Sequence, residues 1–196
     1  MFAMRLLCLC TLVALLASPE RAGAESYVSM QERRPDLFDT ETGYRIARQR
    51  APTPQDIPAP VTRIMIDEVV ALQGQGALLL DVFGAQSARY DELDGTWLVS
   101  KVHESLPGAL WLPEVGRGRL TEEMQAYLAR NLEAHLSDGR GVIVFCVADC
   151  WMSWNAAQRI AAMGYGAVYW FREGISGWLD AGWTLEPAEP VPVGVE

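Results

Sequence analysis

Between residues 62 and 187 the apolar positions follow two alternating rhythms. Unbroken runs, ALLLDVF (77–83), GVIVFC (141–146) and AVYWF (167–171), predict strands buried on both faces. ALWL (109–112), preceded by the loop SLPG and closed by Pro113, predicts a further short strand. Between these runs the spacing is helical. IDEVVALQGQG (66–76) predicts a short helix with Asp67 near its start, Val69, Val70 and Leu72 inward, and Gly74 as its stop. In LTEEMQAYLARNLEAHLSDG (120–139), Thr121 suits a cap and Glu122 and Glu123 favour the positive end. Met124, Leu128, Leu132 and Leu136 recur every fourth residue, and Gly139 ends the pattern. SWNAAQRIAAMGYG (153–166) predicts a helix capped by Ser153 and terminated by Gly164, and GISGWLDAGW (174–183) a last turn or two.

Strands alternating with helices predict an α/β fold, a parallel sheet with helices on its faces. Ligands in such sheets sit at the carboxyl ends of the strands. Cys146 and Asp81 stand at two of those ends.

Residues 25–61 break the rhythm. They are polar and carry Pro35, Pro52, Pro54, Pro58 and Pro60, which predicts an extended arm without a core of its own, packed onto the domain through Tyr44 and Ile46. Residues 188–196 form a short tail. At the other end Arg5, the apolar run Leu6–Leu16 and the small-residue site Ala22-Gly23-Ala24 predict a cleavable signal peptide over residues 1–24, hence a periplasmic protein not held in the membrane after cleavage.

Export changes the meaning of the cysteines. Of the four, Cys8 and Cys10 fall in the predicted signal, leaving Cys146 and Cys150 with only each other as partners in a disulfide-permissive compartment. The chain carries a net charge of −9, and Arg5, Arg21 and Glu20 account for +1 in the signal, leaving −10. That balance, without a basic stripe, excludes nucleic acid as a natural partner.

VIVFCVADCWMSW (142–154) is where chemistry concentrates. A strand turning through a short loop into a helix makes a cup of converging N–H groups at the positive end of a helix dipole. A cysteine at its base, Cys146, has its thiolate favoured, and Cys150, beside the negative Asp149, suits a resolving partner in a reversible disulfide. A structural disulfide and a soft-metal site such as copper, with Met152 nearby, remain open for the same residues. No cofactor and no metal are called for by the pattern. His103 lies where it can approach the site, whereas His135 falls on a helix surface. Asp81 reads as a strand-end carboxylate holding loop amides. Trp151 and Trp154 read either as packing residues or as a docking surface for a redox partner, and Ser153 as the helix cap.

Taken together, LLLDVF, SLPGALWLP, the strand-end Cys146, SWNAA…GYGAVYW and EGISGWLDAGW resemble a rhodanese-like domain over residues 62–187. The resemblance implies a central parallel five-stranded sheet and Cys146 as a persulfide carrier. With the predicted signal, the segment GYRIARQRAPTP and FCVADCWMSWNAAQR, the chain resembles more narrowly the exported PQQ-dependent catabolism-associated CXXCW motif proteins. That implies a quinoprotein dehydrogenase or its cytochrome c as partner, and a small or protein thiol as substrate. Here the spacing is C-x-x-x-C-W, one residue wider. The loop also lacks the cations of a Cys-Arg-x-Gly-x-Arg-Ser loop and has Asp149 instead, which works against an anionic sulfur donor. Two function classes follow: a sulfurtransferase or thiol–disulfide oxidoreductase, and a non-enzymatic accessory or copper-binding factor.

Overall fold

A computed structural model describes residues 25–85, 89–136 and 138–194. The predicted signal peptide lies outside them. The central sheet has the order β1-β6-β5-β2-β4, formed by Thr62–Ile64 (β1), Val168–Phe171 (β6), Val142–Phe145 (β5), Leu78–Asp81 (β2) and Leu110–Trp111 (β4). Every neighbouring pair is parallel. Helices Ile66–Gly74 (α2), Glu122–Leu136 (α3), Trp151–Ala162 (α4) and Gly174–Asp180 (α5) cover it.

The two-residue period of the strands sorts their side chains between two cores. Leu80, Val142, Val144, Val168 and Trp170 face α3 and α4, meeting Leu128, Leu132, Ala157 and Ile160. Leu79, Ile143, Phe145 and Phe171 face the other way and meet Val69 of α2 and Ile175 and Trp178 of α5. This is why the strands read as unbroken apolar runs. The helices start and stop largely where their sequences indicate. Thr121 Oγ1 accepts the Met124 N–H at 3.2 Å, and Gly139 and Gly164 follow α3 and α4 with φ of 77° and 97°. Val70 departs from expectation: it is 37% exposed, and only Val69 of α2 is buried.

Three features are additional to the sequence reading. His103–Ser105 (β3) pairs antiparallel with Glu186–Ala188 (β7) as a separate two-stranded ribbon. Ser153 does not cap α4. The helix begins at Trp151 with Cys150 in the cap position, and the Ser153 hydroxyl, inside the first turn, donates to Cys150 O at 3.2 Å. The arm is not wholly extended: Tyr27–Arg33 (α1) is helical, with Ser26 Oγ accepting the Ser29 N–H, and Pro35–Leu37 makes one 3-10 turn. The arm is also anchored more widely than through Tyr44 and Ile46, since Leu37, Phe38 and Arg45 are its buried residues near the start. Among the described residues no helix is long and apolar enough to cross a membrane.

Candidate functional site

Strand β5 delivers Cys146 to the carboxyl edge of the sheet, and four residues later Cys150 begins α4. The two are joined as a disulfide with their Cα atoms 6.3 Å apart. Both are enclosed, at 0% and 2% exposure. One flank of the loop is closed by the domain itself. Cys146 O accepts the Ile175 N–H at 2.8 Å, Val147 bridges to Gly174, and the Ala148 N–H donates to Ser176 Oγ at 3.2 Å. Gly174 has φ +52°, and a Cβ there would stand 2.1 Å from Cys146 O, so only glycine allows this approach.

The arm closes the other flank. Arg50 faces Cys150 as an antiparallel pair, with the Ala51 N–H donating to Asp149 O at 3.2 Å and the Trp151 N–H to Gln49 O at 2.9 Å. Beyond this crossing, Trp151 Nε1 donates to Pro52 O and Trp154 Nε1 to Asp56 O, each at 3.2 Å. Before it, the arm is fixed by Asn155. The Asn155 side chain accepts the Arg45 N–H at 2.8 Å and donates to Arg45 O and Gly116 O, each at 2.9 Å. The Arg45 guanidinium lies over the rings of Phe38 and Trp151, at 5.0 and 4.7 Å. Burial, and then the charges of Arg34 and Arg48, push its pKa down from the usual arginine value.

The electrostatics differ from what the loop alone suggests. Asp149 sits at φ +53° and turns its carboxylate outward to the Thr53 N–H, 3.3 Å, and to Arg172, 3.4 Å. Arg172, at the end of β6, also donates to Thr53 O and Pro54 O. It supplies the cation that the loop lacks, from a distant part of the chain. The helix start at Trp151 moves the dipole argument as well. The cap position belongs to Cys150, whose side chain makes no capping hydrogen bond, and the partial positive charge of α4 falls on the cysteine pair at its start. Of the amides that would cradle an anion, those of Ala148 and Trp151 are already bonded within the protein.

The expected site residues thus separate. Cys146, Cys150, Asp149, Trp151, Ser153 and Trp154 are brought together. Trp151 and Trp154 are both 0% exposed, held edge to face under the arm, so they are packing residues here and present no docking surface. Ser153 is spent between Cys150 O and Trp170 Nε1 and has no free hydroxyl for a ligand. Asp81 belongs to another cluster. Wholly buried, it accepts the Phe83 N–H at 2.8 Å, the Ser105 hydroxyl at 2.6 Å and a contact from His103 Nε2 at 2.7 Å. His103, stacked on Phe83, therefore fastens the β3 ribbon to the strand end, and none of these bonds involves the cysteine loop. Asn155, Arg45 and Arg172 were missed as contributors. Their one sequence signal was that a buried amide beside two tryptophans needs hydrogen-bond partners, which a carbonyl-rich, proline-containing arm offers.

A parallel α/β sheet with a cysteine loop opening into a helix at its carboxyl edge defines a thiol-bearing α/β domain. More particularly, the chain belongs to the rhodanese-like domain family, whose model matches residues 65–181. Among solved structures it is similar to a thiosulfate sulfurtransferase from Pseudomonas aeruginosa, at 25% identity and a TM-score of 0.45. That likeness covers 66% of this chain and 21% of that one, so the chain matches about a fifth of that protein's length. No curated protein matches.

Proposed function

We propose that this is an exported thiol–disulfide exchange protein built on a rhodanese-like domain, with Cys150 as the exchanging sulfur and Cys146 as its resolving partner. The observation that carries this reading is the disulfide itself, closed at the carboxyl edge of the sheet with Cys150 at the N-cap of α4. The order of roles reverses the expectation from sequence, because the helix begins three residues earlier than a Ser153 cap implies.

In the exchange, a partner thiolate attacks Sγ of Cys150. The Cys146–Cys150 bond breaks, the partner–Cys150 bond forms, and the electron pair leaves on Sγ of Cys146. A second thiolate of the partner then attacks its own sulfur in the mixed disulfide, releasing Cys150. The partner is oxidised by two electrons, and the pair takes up two electrons and two protons. Hydrosulfide entering at the same atom leaves a persulfide on Cys150 by the same bond exchange, which keeps sulfur transfer of the family's general kind within reach. Thiosulfate is a poor donor here, since the Ala148 and Trp151 amides are occupied and Arg172 is already engaged by Asp149 and the arm carbonyls. The resemblance to the PQQ-associated proteins supports a reaction in the periplasm, with a quinoprotein dehydrogenase or its cytochrome c as the proposed partner.

A redox titration tests this. The full mature chain is equilibrated in graded glutathione buffers, quenched by alkylation and weighed intact. The two cysteines should titrate reversibly as one two-electron couple in the folded protein. A pair that reduces only on unfolding is a structural staple, and the exchange reading fails.

A further inference from the structure

The two flanks of the cysteine loop are closed in different ways. Gly174–Ser176 close one flank as part of α5 and its approach. The other is closed by a strap, Ile46–Ala51, slung between the Asn155–Arg45 anchor and the carbonyls of Pro52 and Asp56. Across the cysteines the strap behaves as an added strand. Its main chain donates at Ala51 and accepts at Gln49, with Arg50 opposite Cys150. Little of this crossing depends on large side chains. Arg48 and Arg50 are exposed, and the half-buried Ala47 and Ala51 are the small residues packed against the core. Arg48 is held at φ +50°, in the left-handed region that ordinary residues avoid, so the strap lies down under some strain.

Lifting the strap exposes Cys150 together with the Asp149 carbonyl and the Trp151 N–H, one acceptor and one donor spaced for an antiparallel partner. A small thiol leaves both to water. An extended peptide satisfies both and brings its own residue opposite Cys150, as Arg50 now stands.

We propose that the exchanging substrate is a cysteine-bearing extended segment of a protein, which replaces the strap along Asp149–Trp151, and that the strap is an intramolecular pseudosubstrate. This rests on the exchange reading above and names its substrate class. The recognised segment is read through its backbone, with a small residue following the cysteine as Ala51 follows Arg50.

The test uses the oxidised full mature chain, wild type and Asn155→Ala, and a synthetic peptide of residues 46–53 carrying Arg50→Cys. A second peptide is N-methylated at the alanine equivalent to Ala51, and glutathione serves as the small thiol. Mixed-disulfide formation at Cys150 is followed by quench and intact mass. The unmodified peptide should react on the order of tenfold faster than the N-methylated one, the effect of one backbone hydrogen bond, and faster than glutathione, in both proteins. Equal rates for the two peptides, with glutathione also reducing the pair, would overturn the peptide-edge proposal and leave exchange intact. If no thiol reduces the folded protein, the exchange reading itself has failed and the substrate proposal falls with it.

Discussion

Replacing Asn155 with alanine should loosen the arm before it loosens the domain. The side chain is wholly buried and makes three hydrogen bonds, two to the main chain of Arg45 and one to Gly116 O. Each contributes about 1 kcal/mol net, and the partners are left unpaired in a buried site. The global loss is then about 3–5 kcal/mol, of which the two bonds to the arm account for about 2–3 kcal/mol. If the disulfide is reached through local lifting of the arm, reduction is proportional to the population of the lifted state. At 1.4 kcal/mol per factor of ten, Asn155→Ala should speed reduction by dithiothreitol roughly 30- to 140-fold under native conditions. The assay is timed alkylation with intact mass, well below any denaturing condition. Leu132→Ala on α3 is the control. It empties a buried site in the core and should cost about 2–5 kcal/mol globally. It should leave the reduction rate nearly unchanged. Equal acceleration by both variants would mean that the pair opens only with the whole domain. No acceleration by Asn155→Ala would mean that the arm does not control access at all.

Gly174→Ala forces a Cβ against Cys146 O at a positive φ, so it should destabilise by at least about 3 kcal/mol in chemical denaturation and disorder the loop. A near-neutral result would refute the close approach. Asp39 is held down to about 2, first by the Thr42 N–H and then by Arg119 and the Glu41 N–H. Because its folded pKa is depressed, its contribution is present above the ordinary value of about 3.9 and is lost as pH falls through about 2. An NMR titration of the Asp39 carboxyl should show that low midpoint, and a midpoint near 4 would show the turn at Asp39–Tyr44 to be unformed.

The sheet and its helices were readable because strands buried on both faces must be apolar without interruption, as in Val142–Phe145, while α3 repeats its leucines every fourth residue. The β3–β7 ribbon was not, since His-Glu-Ser paired with Glu-Pro-Ala carries no β-rich pattern. The start of α4 was misplaced because Cys150-Trp151-Met152 offers no conventional cap, and Ser153 does. That shift of three residues puts Cys150 itself at the N-cap of α4, so a small boundary error changed the chemistry drawn from it. The arm was visible as polar and proline-rich, but its docking was not. Its contacts are chiefly main-chain carbonyls taking N–H groups from Trp151, Trp154 and Arg172, and carbonyl positions leave no trace in residue type.

The most direct test of the account is the order in which the two cysteines react once the pair is reduced. The reduced, folded protein is treated with a limiting amount of iodoacetamide at graded pH, and the site of modification is read by peptide mass. Cys150, at the N-cap of α4 and on the arm's side of the loop, should be modified first and well below the free-thiol pKa of about 8.5. Modification of Cys146 first, or of neither until the protein unfolds, would contradict the assignment of Cys150 as the exchanging sulfur.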